Sequence, residues 1–293
     1  MITKYLRRTK RSAVRALSRK VCSDEITEKL LKVGVELGND IYVTSSLSSF
    51  GNLERGVDTL FQGLISVAGS EGTILAPGHS NPSTLDTRGI DLRCHNMNTG
   101  VFPSHLMSQL GSLRSSHPFA STICLGPKST YYASGHEDFP TICHENSPVA
   151  KVYYNDAYLI GFGTEPTAMI HYHLIEEARV DYPLNVYNQG VCVEYKNFQG
   201  KRIKREIKTF QSPLNEYRIE RPRGKKIRKD FLIKMRKSKT FHEFKIGRCK
   251  AWAIKSKNLY SIIEDWLDEG CTIYDLKRYS DNEKDTIPFT RPF

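Results

Sequence analysis

A chain of 293 residues that is 39% hydrophobic and carries 15 tyrosines has enough apolar material for one substantial core or two modest ones. Its formal net charge of +11 implies an anionic partner or a solvated basic surface, and no apolar run approaches the ~20 residues that span a bilayer. The basic opening MITKYLRRTKRSAVRALSRK lacks the apolar stretch of a secretory signal, and seven scattered cysteines without CxxC or Cys/His zinc spacing suit reduced thiols in a cytoplasm, not disulfides or a zinc site.

Residues 1–20 are basic and acid-free, so they read as a solvated helix, with amphipathic contact to anionic membrane as the alternative. A helix is expected over Cys22–Leu37, capped by Ser23 or Asp24 and stopped at Gly38. The short strand Asp40–Val43 runs into a hydroxyl-rich turn, Thr44 followed by Ser45, Ser46, Leu47, Ser48 and Ser49, ahead of a helix over Arg55–Ala68. Backbone N–H groups and hydroxyls at a helix start suit phosphate or carbonyl oxygens. The Gly69–Ser80 block ends in Gly78 and His79, and a polar loop over Asn81–Asn98 leads to a helix from Val101 to Leu110. Arg114, Ser115, Ser116 and His117 then share one turn, and Pro118 biases His117 to an extended backbone. Phe119–Leu125 reads as a strand and Gly126–Ala133 as a helix. After a long loop containing His144, Ser147-Pro148 opens a further helix.

The segment Ala157–Pro183 organises the chemistry. Its apolar run Ala157–Phe162 reads as a buried strand, and Gly161 and Gly163 permit a tight turn or a ligand. The polar loop Thr164–Thr167 leads to a helix bearing His171, His173, Glu176 and Glu177. Residues three or four apart share a helix face, so His173 meets Glu176 or Glu177. A carboxylate beside an imidazole fixes its tautomer and stabilises its protonated form, as a general base requires. Beyond Pro183, Val191–Tyr195 and Arg202–Phe210 suggest antiparallel strands that make the sheet mixed, and Lys245–Ile254 suggests another. A helix over Leu259–Asp268, capped by Asn258 and ended by Gly270, precedes a polar tail, residues 271–293. The basic stretch Lys196–Lys257 holds no recognised nucleic-acid motif, so nucleic acid is not an expected partner. The alternation of strands and helices argues for an α/β fold with helices on both faces of a mixed sheet.

Four blocks of this chain resemble the aminoglycoside 3-N-acetyltransferase (antibiotic N-acetyltransferase) family: Ser45–Ser49, Gly69–Ser80, Leu113–Pro118 and the strand-loop-helix around His173-Leu174-Ile175-Glu176. The resemblance implies one three-layer α/β/α sandwich over residues 21–270, and acetyl transfer from acetyl-CoA to an amine by direct attack within a ternary complex. It places Ser45, Ser46, Leu47, Ser48 and Ser49 at the acetyl-CoA site, together with Arg114, Ser115 and Ser116 as coenzyme-binding residues on the active-site wall. The base would be His173 or His171, oriented by Glu176, with His79 and His117 lining the amine pocket. Three departures stand out: Thr44 replaces a family histidine, Gly78 a family threonine, and Ile142-Cys143-His144 a Pro-Phe-Gly. The expected acceptor is a small-molecule amine of aminoglycoside type, met by an acidic pocket from Asp86, Asp91, Glu137, Asp138 and Glu145. A nucleotide- or lipid-linked amino sugar is the alternative that suits the basic chain. A non-catalytic nucleic-acid or membrane-binding protein would explain the charge but not the four blocks.

Overall fold

Apolar runs bounded by turns assemble into one seven-stranded sheet in a computed structural model, which describes residues 17–80, 90–94 and 97–282. The strands are β1 Ile41–Ser45, β2 Ile74–Pro77, β3 Leu113–Arg114, β4 Thr122–Leu125, β5 Tyr158–Phe162, β8 His242–Ile246 and β9 Cys249–Lys255, in the order β3-β4-β2-β1-β5-β9-β8. β1 is parallel to both β2 and β5, and the outer strands pair antiparallel. Both faces are covered. Ile41 and Val43 point into one core with Ile26 and Leu30 of α1 (Ser23–Lys32), Leu60 and Leu64 of α2 (Val57–Ala68) and Phe102 of α3 (Val101–Met107). Tyr42 and Leu159 point into the other, with Tyr132 of α4 (Ser129–Ala133), Val149 of α5 (Pro148–Tyr154), Phe231 of α7 (Lys225–Lys237) and Ile263 of α8 (Ser256–Asp268). A strand buried on both faces reads as a continuous apolar run, which is why β1 and β5 were visible in the sequence.

The structure moves several expected boundaries. α1 ends at Lys32, five residues before Leu37 and well short of Gly38. Gly34, at φ +93°, donates to Leu31 O while buried Val35 donates to buried Leu30 O, a pair of bonds that closes a helix with glycine in the left-handed region. α5 begins as expected, its first turn closed by Ala150 N–H donating to Ser147 Oγ. β6 (Val191–Lys196) and β7 (Arg202–Ile207) form a separate two-stranded ribbon, so they are not what mixes the main sheet. The single strand expected over Lys245–Ile254 is the β8–β9 hairpin, which turns at Gly247 (φ +56°). α8 starts at Ser256, with Asn258 inside it.

Two elements in charged stretches were missed. In α7 the residues Ile227, Phe231 and Met235, spaced four apart, carry the apolar stripe beneath a basic surface. α9 (Leu276–Asn282) and the segment before it are docked: Ile273, Tyr274, Asp275 and Tyr279 are buried, and Asp275 N–H donates to Tyr217 O. Ile273, Tyr274 and Tyr279 thus join the second core. The basic segment is described only from Leu17 onward, and its membrane contact concerns residues outside the described set.

Gly161 lies within β5 opposite Trp252, and its missing side chain makes room for the Trp252 ring, whose Nε1 donates to Thr164 O. This glycine admits an indole of the same core rather than a ligand. Gly161→Ala is expected to lower the unfolding free energy by about 1–3 kcal/mol, the usual cost of overpacking a filled core. Denaturant unfolding that matches the parent chain would show that Trp252 can move aside freely.

Candidate active site

Because β1, β2 and β5 run parallel, their C-terminal ends meet at one edge, the position where α/β sheets bind ligands. Ser45 ends β1 and the turn Leu47–Phe50 follows it, Gly78 and His79 follow β2, and Gly163 follows β5. Ser46 N–H donates to Phe162 O at 2.8 Å. Gly163, at φ +67°, lies so close to Ser49 that any side chain there would clash with the Ser49 hydroxyl. Thr44, standing in for the family histidine, is hydrogen-bonded through Oγ1 to Thr164 Oγ1 at 2.9 Å and joins the two strand ends. Of the turn's hydroxyls, Ser49 donates to Cys249 Sγ at 3.0 Å, and Ser46 and Ser48 face each other at 3.5 Å. Ser45 Oγ is buried with no partner among the described residues.

Arg114 does a different job from the one expected. Its guanidinium is buried, and all five N–H groups are engaged within the protein: Nε to Ser121 Oγ, Nη1 to Leu92 O and Cys94 O, Nη2 to Gly78 O and Ser80 Oγ. No donor remains for a coenzyme. The arginine instead ties the strand end bearing His79 to β4 and to the loop at residues 92–94. Gly78 suits this arrangement. A Cβ there would sit 3.0 Å from Ser121 Oγ and 3.1 Å from Ile123 Cγ1, so Ser121 occupies the space that a threonine side chain would need. Ser115 is likewise structural, accepting from Thr122 N–H and donating to His136 Nδ1 at 2.8 Å. Ser116 Oγ is buried and unpartnered among the described residues.

The helix expected to carry the base is a 3-10 turn over Ile170–His173 followed by one α-turn, α6, over Leu174–Ala178. His173 Nδ1 lies 2.9 Å from Glu176 Oε2, and both side chains are buried. Glu177 turns away and accepts from Thr141 Oγ1, Cys143 N–H and Tyr187 Oη. His171 packs edge-on to Tyr42 at 4.4 Å, with neither ring nitrogen bonded among the described residues. The structure therefore pairs His173, not His171, with the carboxylate. A residue the sequence did not mark completes the arrangement: Arg218 Nη1 lies 3.0 Å from His173 Nε2. A guanidinium only donates, so Nε2 carries the lone pair and Nδ1 the proton given to Glu176.

Five histidines are buried here, His117, His136, His144, His171 and His173, and His79 is partly buried with its Nε2 out of solvent. Burial holds each below the ordinary imidazole range, His79 at about 4, His117 and His171 at about 3, and His173 and His136 well below it. Arg114 and Arg218 add to the effect at His79, Arg205 at His117, and Arg218 at His173, where Glu220 opposes it. Phe119 and Ala120 N–H both donate to His117 Nδ1, placing its proton on Nε2, which has no partner among the described residues. His136, stacked on His117 at 4.8 Å, and His144 are linked to backbone carbonyls and serve as its support. The expected acidic pocket is not assembled among the described residues. Asp91 pairs with Arg93 and Lys196, Glu137, Asp138 and Glu145 are exposed, and Asp86 lies outside the described set. No group of three or more His, Cys, Asp or Glu that could hold a metal ion occurs among the described residues.

These neutral histidines imply acid sensitivity. The unfolded chain takes up protons below about pH 6.5 and the folded chain does not, so stability falls with pH from there towards the folded values of about 4 for His79 and about 3 for His117 and His171. Each such group contributes up to ~1.4 kcal/mol per pH unit. Thermal melts are expected to drop steeply below about pH 6, and a flat melting temperature down to about pH 5 would contradict the buried neutral forms.

Comparison with known proteins follows the same lines. The profile of the aminoglycoside 3-N-acetyltransferase family matches residues 42–268. An SPbeta prophage-derived aminoglycoside N(3')-acetyltransferase-like protein of Bacillus subtilis (strain 168) is 29% identical over 209 residues, 64% of this chain and 74% of that protein. Aminoglycoside N(3)-acetyltransferase III of Salmonella sp is 28% identical over 177 residues, which are 54% of this chain and 60% of that enzyme. The structure of AAC-IIIb in its binary complex with CoASH superposes with a TM-score of 0.73 at 19% identity, covering 87% of this chain and 98% of that one. With the family profile spanning most of its length and the sandwich matching in three dimensions, this chain belongs to the aminoglycoside 3-N-acetyltransferase family.

Proposed function

We propose that this chain transfers an acetyl group from acetyl-CoA to an amino group of an aminoglycoside-type acceptor. The observation that carries the reading is the buried His173–Glu176 pair, set at a strand edge where Ser45 Oγ, His79 Nε2, Ser116 Oγ and His117 Nε2 lack partners among the described residues. Buried polar atoms are normally satisfied, so a concentration of open ones implies a polar ligand. Family membership and the likeness to a CoASH-bound neighbour support the coenzyme.

Acetyl-CoA supplies the acetyl group as a thioester, whose C–S bond breaks as the new C–N bond forms. The chain's residues handle the charge. An ammonium has no lone pair, so one N–H proton must leave before the nitrogen can attack. His173 Nε2, with Glu176 behind Nδ1, accepts that proton and releases it to solvent, and as the C–N bond forms it takes the second N–H proton, which the departing thiolate then receives as the thiol. Ser45 Oγ and the first N–H groups of the Leu47–Phe50 turn are suited to an oxygen that gains negative charge. His117 Nε2–H is a second donor at the same edge, kept neutral by burial. On the acceptor side, Phe210 stands between His173 (4.1 Å) and Tyr187 (5.2 Å), which lines a groove of about 620 Å³ with Asn185, Asn188, Gln189 and Gln211. Side-chain amides both donate and accept, as sugar hydroxyls require. An amino sugar attached to a nucleotide or lipid is the second reading. It is favoured by Arg114, Arg205 and Arg218 around the histidines and by the exposed or paired state of the described loop carboxylates.

Three results are expected. Thiol release from acetyl-CoA, assayed with aminoglycosides and amino-sugar nucleotides, should occur with the former, whereas turnover of the nucleotides alone would favour the second reading. His173→Ala should lose roughly 10²–10⁴-fold in kcat with coenzyme binding intact in calorimetry, and Glu176→Gln should lose less. A large loss in His171→Ala with His173→Ala active would transfer the role of base to His171. Ser45→Ala should weaken the apparent affinity for acetyl-CoA by roughly 2–10-fold, the effect of one hydrogen bond, and an unchanged KM would remove Ser45 from the coenzyme site.

A further inference from the structure

Nothing in the reaction above uses Arg218, yet its guanidinium is bonded to the nitrogen on which the reaction depends. Arg218 Nη1 donates to His173 Nε2 at 3.0 Å, and Arg218 Nε forms an ion pair with Glu220. The guanidinium also lies 5.0 Å from the centroid of Phe210, which packs on the His173 ring. The backbone that presents it is fixed. Arg218 bridges to Tyr274, and Gly224 approaches the Arg218 carbonyl so closely that any side chain at 224 would clash with it. The Arg218 side chain is 13% exposed and that of Glu220 23%, so the pair is sheltered but within reach of a ligand.

A lone pair already held by one N–H cannot take another. An ammonium about to give up its proton must place its nitrogen about 3 Å from Nε2, where Arg218 Nη1 now lies. We infer that the Arg218 guanidinium occupies the position of the acceptor's ammonium, and that Arg218 and Glu220 form a latch which the acceptor opens by displacing the guanidinium from His173. The inference rests on His173 being the base. The exchange is cation for cation, so the charge facing Glu176 and Glu220 is conserved as a primary ammonium enters. A neutral ligand would leave Glu176 undercompensated. Glu220 keeps its hold on Arg218 Nε and gives the displaced side chain a place to remain. Arg218 is thus a positioning residue that keeps Nε2 deprotonated and pointed at the acceptor until the acceptor arrives.

The groups facing His173 are Glu176 on its own segment, Arg218 and Glu220 from the segment before α7, His79 at the end of β2 within the field of Arg218, and Tyr274 against Glu176. Removing the guanidinium charge while keeping a side chain of similar length isolates its effect. In Arg218→Met, NMR titration of His173 in the full-length protein should show its pKa rise by roughly one unit or more. The acidic limb of kcat/KM should move to higher pH with it, and KM for the acceptor should fall by about tenfold, the equivalent of one charge-assisted hydrogen bond. In Glu220→Gln the guanidinium loses its second partner and holds His173 harder, so KM for the acceptor should rise. This second variant reads the latch even if Arg218→Met does not fold. An unshifted His173 titration in Arg218→Met, or an unchanged or lower KM in Glu220→Gln, overturns the latch. The NMR arm needs no turnover, so a wild-type protein inactive on every amine would defeat the proposed function while the titration still decided the place of Arg218.

Discussion

The site depends on one contact, the hydrogen bond from His173 Nδ1–H to Glu176 under nearly complete burial. A carboxylate taken out of water is costly unless hydrogen bonds compensate it. An imidazole in the same position strongly prefers to be neutral, because burial penalises its charged form. Each group therefore stabilises what the other needs: the carboxylate receives a donor, and the ring is locked in one tautomer with its lone pair on Nε2. The short α-turn Leu174–Ala178 is enough to set the pair, since three residues of helix bring the two side chains together.

Around that pair, charges are buried only where the backbone supplies partners. Arg114 shows the principle most fully. Its five N–H groups meet three carbonyls and two hydroxyls, so one side chain joins the end of β2, the loop at residues 92–94 and β4. Satisfying every donor makes the burial of a guanidinium tolerable and makes the strand end that carries His79 rigid. Two of the three departures from the family pattern fit the same frame. Gly78 leaves room for Ser121, whose hydroxyl donates to Gly78 O at 2.6 Å, and Thr44 bonds to Thr164 across the ends of β1 and β5. At both positions the residue present helps fasten strand ends.

The basic character of the chain is put to local use. Part of it covers α7, where cationic residues surround an apolar stripe that packs on the second core, and part of it, as Arg205 and Arg218, projects towards the histidines. Burial keeps those imidazoles neutral and the positive field adds to it, leaving their lone pairs and N–H groups available as hydrogen-bonding partners. Net charge alone could not separate these uses from binding to nucleic acid or membrane, because it carries no information about where each cation sits.

What the sequence determined by itself was whatever depends on neighbours a few residues apart. The apolar runs of β1, β4 and β5, the Ser147-Pro148 helix start, the hydroxyl-rich turn after β1 and the His173–Glu176 spacing were all legible, because strand burial, capping and one turn of helix are local effects. The family blocks added the sandwich and the coenzyme. Even α7 was written in its four-residue spacing, though hidden beneath its charge. Tertiary structure alone decided the rest. Arg218 meets His173 across 45 residues and Arg114 meets Gly78 across 36, and no periodicity reports a contact at that distance. The same holds for the β6–β7 ribbon, which lies outside the main sheet, and for Glu177, drawn to Thr141, Cys143 and Tyr187 by partners that α6 could not announce. A side chain's role is set by which donors and acceptors reach it, and in this protein the decisive ones arrive from distant parts of the chain.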